Sequence, residues 1–230
     1  MTSEINVKDK DVVVPGEVLA CGMDFLPANG TYRKDDKIIA EKVGVVKVDG
    51  KVLKIIPLSG RYFPKYDDTI ICQVIDVLMS GWRFDINSAY SAMLNIKDAT
   101  SEFIRKDEDL TKIFALDDYV VAMISKVTSQ NLVDLSMRAP GLKKIVGGRI
   151  IHVNTHKVPR IIGKQGSMVS MIKDATGCKI IVGQNGRIWV GGEPAQELIA
   201  MDAIKKIEAE AHTRGLTENI KTFLDERCKK

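Results

Sequence analysis

The sequence predicts a multidomain chain of mixed β and α+β class, and three patterns carry that prediction. Residues 12–56 hold short β-branched runs punctuated by turn residues. Residues 69–137 hold five apolar or alternating runs of strand length. From Ile150 onward, strand and helix periods follow one another in the order β-α-α-β-β-α. With 230 residues, 45% hydrophobic and 28% charged, the chain is long enough for two or three cores and too apolar to be a disordered tail.

The first unit, residues 1–64, takes its strands at Val12 to Val14, Ile38 to Ala40, Val43 to Val48 and Val52 to Ile56. Asp49-Gly50 between the last two is a hairpin turn signal, because the tight turn needs positive φ. No catalytic motif lies here. At its end, Tyr62-Phe63 is a candidate partner-docking segment, with a buried strand connection as the plainer reading. Met1 to Val14 lacks a basic start followed by an apolar run, and no apolar stretch approaches the roughly 18 residues of a membrane span. A cytoplasmic protein without membrane attachment is expected.

The second unit, residues 65–138, places strands at Thr69 to Leu78, Trp82 to Ile86, Ala92 to Ile96, Tyr119 to Thr128 and Leu132 to Met137. The connection from Lys97 to Asp118 is polar and is expected to contain a short helix. Five strands with the longest connection between the third and fourth suit a five-stranded OB-fold barrel. Trp82, Phe84 and Ile86 share one strand face, which alternation assigns to the core. Pro140-Gly141 and Gly147-Gly148 then bracket a short basic connector, Leu142 to Val146, that marks a domain boundary.

The third unit opens with a strand at Ile150, Ile151 and Val153, followed by a short helix with Pro159 in its first turn, where a missing N–H costs nothing. Gly163-Lys164-Gln165-Gly166 comes next. Met168, Met171, Ile172 and Ala175 recur at helical spacing, Gly177 supplies a stop, and Lys179 to Val182 is a short strand. Asn185-Gly186 turns the chain into a returning strand, Arg187 to Val190. Leu198, Met201, Ile204, Ile207 and Ala211 trace the stripe of a long helix, and Leu216 to Lys230 forms a further one.

Two glycines flanking two polar residues let backbone approach a sugar-phosphate chain, since no Cβ blocks it and positive φ is allowed. The loop also opens a helix, whose free N–H groups favour phosphate. Residues 147–192 hold seven basic residues (Arg149, Lys157, Arg160, Lys164, Lys173, Lys179 and Arg187) against Asp174 alone, so the positive field of a chain with net charge +4 is local. The candidate nucleic-acid site is Arg160, Ile161, Ile162, Gly163, Lys164, Gln165, Gly166, Lys179 and Val182.

Catalytic and metal chemistry find little footing. The acidic pairs and runs Asp67-Asp68, Asp107-Glu108-Asp109 and Asp117-Asp118 are adjacent in sequence at strand mouths or in the polar connection, where acids face water. His152 and His156 are four apart on an extended rather than helical stretch, and His212 stands apart. Cys21, Cys72, Cys178 and Cys228 form no C-x-x-C pair, which points to buried or free thiols. No cofactor and no metal is expected.

Ile161-Ile162-Gly163-Lys164-Gln165-Gly166, then Val169 and Ile172, then Thr176-Gly177, in the β-α-α-β-β-α order, resemble a type I KH domain over residues 147–213, with 214–230 as a C-terminal helix or tail. The resemblance implies a clamp on four nucleotides of single-stranded nucleic acid. Val74 to Val77, Ser80-Gly81-Trp82-Arg83-Phe84-Asp85-Ile86, Ala92 to Ile96 and Val133 to Met137 resemble an S1 domain, an RNA-binding OB-fold. The aromatics and histidine usual on its exposed face fall here on Ser80, Arg83 and Asn95, so stacking on rings is not expected there; the S1 contacts implied are Arg83, which can stack on a base or hold a phosphate, Asn95 and Lys97.

Pro15-Gly16, Gly30-Thr31-Tyr32 and Pro57 to Pro64 resemble the N-terminal domain of the archaeal exosome's RNA-binding cap subunits. The whole order of domains is similar to that family, as is Gly183-Gln184-Asn185-Gly186 ahead of the last KH strand. The resemblance implies a non-catalytic role: the N-terminal domain docks on the exosome, and three cap subunits, of this and other kinds, sit on a hexameric ring of phosphorolytic RNase PH-type subunits. They recruit single-stranded RNA, favour adenine-rich tails and lead its 3′ end to degradation. The alternative is an S1-KH transcription- or ribosome-associated RNA-binding factor. Bacterial antitermination factors of that sort carry paired KH domains of the other topology, whereas one KH-like unit fills the C-terminal third here.

Overall fold

The structure is a computed structural model and describes residues 4–100, 109–211, 213 and 215–228. It divides between Gly60 and Arg61 into two compact units. The first holds β1 (Glu4–Ile5), β2 (Val12–Val13), β3 (Val18–Cys21), β4 (Leu26–Pro27), β5 (Thr31–Lys34), β6 (Lys37–Ala40), β7 (Gly44–Asp49) and β8 (Val52–Pro57). They form two four-stranded sheets, ordered β1-β3-β6-β5 and β2-β7-β8-β4, over a core of Val13, Leu19, Ile38, Val46 and Leu53. The β7–β8 hairpin turns where Asp49-Gly50 predicts, with Gly50 at φ 61°. β1, β3, β4 and β5 have two to four residues each and lack a readable alternation.

In the second unit, β9 (Thr69–Leu78), β10 (Gly81–Asp85), β11 (Ser91–Asn95), β12 (Tyr119–Val127) and β13 (Val133–Ser136) close a barrel in the order β10-β11-β13-β12-β9. All five expected runs are strands. Alternation sends Trp82, Phe84 and Ile86 fully inside, and the Trp82 indole donates to the Phe114 carbonyl at 3.1 Å. Within the long connection lie the short helix α1 (Ile96–Ala99) and a 3-10 turn, Leu110–Lys112, capped by the Asp109 carboxylate.

Residues 61–68 lead into β9 and pack on the barrel. Tyr62 is 7% exposed, packs with the barrel core, bridges to Ser88 and donates its hydroxyl to Asp68 at 2.6 Å. Burial and the Asp68 carboxylate push that phenol well above its ordinary pKa, so it stays protonated as the donor. Tyr62 is therefore a core residue and not a docking residue, and the barrel begins before residue 65, on the far side of Gly60.

The C-terminal part comprises β14 (Arg149–His152), α2 (Val158–Ile162), α3 (Ser167–Thr176), β15 (Lys179–Val182), β16 (Arg187–Gly191), α4 (Pro194–Ala209) and α5 (Leu216–Cys228). The antiparallel sheet runs β14-β16-β15. One face, with Ile151, Ile180, Ile188 and Val190, packs on the helices. The stripe of α4 keeps the expected Ile204 and Ile207 but differs at its start: Leu198 is 49% exposed, while Glu197, Ala200 and Ala203 are buried. Glu197 is buried because it accepts from the Gly192 N–H at 3.0 Å and pairs with Arg149, so a charge occupies a core-facing place that hydrophobic periodicity skips. Ala175, expected on the inner face of α3, is exposed. Leu216, Ile220 and Leu224 of α5 join the same core, so the last helix completes this domain rather than trailing it.

The other sheet face lies on the barrel. Trp189, Ile150 and Ile181 pack with Ile71 and Val121, and with Leu142 and Ile145 of the connector, whose chain bonds to β12 through Val121 N to Lys143 O and Ile145 N to Tyr119 O. The connector is part of this packed junction. Its centre is the 183–186 turn. Asn185 is fully buried, its amide donating to the Ile71 carbonyl at 2.7 Å and the Ile86 carbonyl at 2.9 Å and accepting from Ile71 N at 3.3 Å. Gln184 N donates to Thr69 O, and the buried Arg187 guanidinium pairs with Asp85. Every one of these bonds crosses between barrel and sheet.

Candidate nucleic-acid interface

Helix α2 starts with Pro159 in its first turn and ends at Gly163, which at φ 75° and ψ 175° holds a backbone open in practice only to glycine. A Cβ there would sit 2.7 Å from Met168 Cβ and 2.8 Å from Met168 N, so the loop lies hard against the first turn of α3. Gln165 (φ 55°, ψ 30°) and Gly166 (φ 80°, ψ 5°) are left-handed, and a Cβ on Gly166 would meet open space. Gly163 is thus fixed by conformation and contact, Gly166 by conformation alone. The result projects Lys164 and Gln165 into solvent at the start of α3.

Around the loop, Arg160 and Lys179 are exposed, and the Arg160 guanidinium donates to the Thr213 carbonyl at 3.3 Å. Ile162 and Val182 are half-buried against the domain core and supply apolar wall. Ile161 is fully buried in that core and cannot line a groove; it positions α2 instead. The basic field is also smaller than the sequence count. Arg149 pairs with Glu197 at 3.3 Å and Arg187 with Asp85, which leaves Lys157, Arg160, Lys164, Lys173 and Lys179.

On the barrel, Arg83 and Asn95 are exposed on neighbouring strands, Arg83 facing Met93 and Asn95 facing Gly81. Arg83 also faces the exposed Asp76 on β9, and Lys126 faces Asp134 on β13. An acid beside each of these cations weakens this face as a phosphate site. Lys97 is exposed in α1, its carbonyl accepting from Arg138 at 2.6 Å.

The acids are occupied structurally: Asp68 holds Tyr62, Asp117 accepts from Gln73 at 3.0 Å, and Asp118 caps Ala115 N at 2.7 Å and pairs with Lys144. Among the described residues no group of three or more His, Cys, Asp or Glu is arranged to hold a metal ion. Asp107, Glu108, His212 and the thiol of Cys228 lie outside the described residues. Cys21, Cys72 and Cys178 are free thiols, and burial raises the pKa of Cys72. His152 on β14 titrates below its ordinary value, chiefly through desolvation and then through the neighbouring Arg187 guanidinium, with Asp85 opposing. No described helix is long and apolar enough to cross a membrane.

A closed five-stranded barrel packed against a β-α-α-β-β-α domain with a left-handed glycine loop defines a tandem of S1-type OB-fold and type I KH domain. A KH-domain family model matches residues 148–196, and a model for the exosome complex exonuclease RRP4 N-terminal region matches residues 12–49. The exosome complex component Rrp4 of Methanothermus fervidus is 42% identical over 219 residues, 95% of this chain and 96% of that one. That of Thermofilum pendens is 41% identical over 229 residues, 98% of this chain and 97% of that one. A crystal structure of a candidate exosome complex RNA-binding protein aligns with a TM-score of 0.68 at 34% identity, over 74% of this chain and 98% of its own. The chain belongs to the Rrp4 family of exosome components.

Proposed function

We propose that this protein is a non-catalytic, cytoplasmic RNA-binding subunit of an archaeal exosome cap. It recruits single-stranded RNA, adenine-rich tails preferred, and passes the 3′ end to a hexameric ring of phosphorolytic RNase PH-type subunits. It sits there with other cap subunits in a trimeric cap and needs no cofactor. The observation that carries the reading is the glycine loop: its close packing on Met168 and its solvent-facing Lys164 and Gln165 are what a backbone clamp on phosphates requires. The clamp lies beside the half-buried Ile162 and Val182, against which bases can rest. Membership of the family over the length of the chain favours the cap over a free transcription or ribosome factor.

Docking on the ring falls to the N-terminal unit. The register Val12↔Val45↔Ile56 places an apolar row across one sheet face, with Val12 64% and Ile56 53% exposed. The loop reading is tested by Lys164→Asp with Gln165→Asp. Single-stranded RNA affinity should fall roughly tenfold or more at low salt, with an unchanged melting curve. Unchanged affinity across a salt titration removes this loop from the RNA path. Light scattering of the chain with RNase PH-type ring proteins tests the assembly: a stable large complex supports the cap, and persistent separation refutes it.

A further inference from the structure

We propose that the segment leading into β9 carries a second site for the bases of single-stranded RNA, built on Phe63 and Tyr90. Residues 61–68 are held at both ends, by the Tyr62 bridge to Ser88 and by Asp67 N donating to Ile124 O at 2.9 Å. With Tyr62 turned into the core, the next residue of an extended chain points outward. Phe63 is 49% exposed, and its ring meets that of Tyr90 edge to face, centroids 6.2 Å apart at 88°. Tyr90 is fixed in turn by Asn131, whose amide donates to its hydroxyl at 3.1 Å. Two rings from separate loops are thus held in one arrangement before any ligand arrives, which lowers the ordering cost of stacking a base.

The surroundings favour nucleic acid. Arg61 and Lys65 flank Phe63 and are exposed, as is Tyr66. Of the two acids that follow, Asp68 is engaged by Tyr62, leaving Asp67 exposed. Alternating cations and rings suit a strand whose phosphates and bases alternate. The exposed rings are interrupted by the charges of Arg61, Lys65 and Asp67, which suits a base stacked on one ring better than a continuous apolar protein interface. The site also answers a deficit on the β10–β11 face, where Ser80, Arg83 and Asn95 offer nothing aromatic.

This inference rests on the RNA-binding reading, and one experiment separates the two. The full chain is photocrosslinked to single-stranded RNA substituted with 5-iodouridine, the adducts are mapped by mass spectrometry, and affinities are measured for Phe63→Leu and Phe63→Tyr. Adducts on Phe63 or Tyr90 are expected, with Phe63→Leu weakening binding roughly fivefold or more and Phe63→Tyr retaining it, both with wild-type melting curves. Adducts confined to residues 160–182, with Phe63→Leu binding normally, overturn the site and leave the RNA reading intact. Failure of the wild-type chain to bind RNA removes both. Loss of ring assembly in Phe63→Leu with undiminished RNA affinity overturns the site in favour of protein docking.

Discussion

Replacing Gly163 by alanine, beside the same change at Gly166, isolates the contact that shapes the glycine loop. Both positions have positive φ, so each substitution carries conformational strain, of order 1–2 kcal/mol in the left-handed region and up to about 3 kcal/mol for the more extended conformation of Gly163. Only Gly163 adds steric overlap. Its new methyl would lie 2.7 Å from Met168 Cβ and 2.8 Å from Met168 N, and the second is backbone in the first turn of α3, which cannot swing aside. Overpacking of this kind costs about 1–3 kcal/mol. Gly163→Ala should therefore destabilise the protein by at least about 1–3 kcal/mol more than Gly166→Ala, or lift the loop off the helix. Urea unfolding followed by tryptophan fluorescence reads this directly, since Trp82 lies in the barrel core and Trp189 at its junction with the KH sheet. Equal losses for the two variants, with equal slopes against urea and equal RNA affinities, would refute the close approach of the loop to α3.

Asn185→Ala strips the junction of its central amide, leaving Ile71 N–H and the Ile71 and Ile86 carbonyls short of partners, and should cost at least about 2 kcal/mol in the same unfolding experiment. A loss under about 0.5 kcal/mol would mean that the junction does not depend on it. For His152, the folded-state pKa lies below the ordinary 6.5, so the unfolded chain takes up a proton that the folded chain resists, and stability falls as pH drops through that value. His152→Gln should flatten the melting-temperature profile below about pH 6.5, and an unchanged slope would assign that part to other groups.

What the sequence disclosed and what it concealed divide along physical lines. The barrel strands were legible because alternation and burial coincide in them, Trp82, Phe84 and Ile86 being the plainest case. The glycine loop was legible because its conformation is demanded locally. Tyr62 reads from sequence as a docking residue because two adjacent aromatics outside any strand pattern look like an apolar patch until the barrel core that takes in Tyr62 is seen. In α4 the expected Ile204 and Ile207 are buried and Met201 packs beside them, but at the first turn Glu197 takes the core-facing place in Leu198's stead, its carboxylate held by Arg149 and the Gly192 N–H. Asn185 reads locally as a turn residue. Its bonds to Ile71 and Ile86, about a hundred residues away, have no signature in a single sequence.

That buried amide also fixes the spacing between the glycine loop and the barrel face. Because barrel and KH sheet share one hydrogen-bonded seam, the distance from loop to barrel face is a constant of the molecule and not an average over a flexible tether. An oligonucleotide too short to bridge that span engages one domain at a time. One long enough acquires the second contact as an intramolecular step, and no entropy of domain alignment opposes it. If both domains hold RNA, affinity should rise with RNA length in a step at the reach of that fixed span.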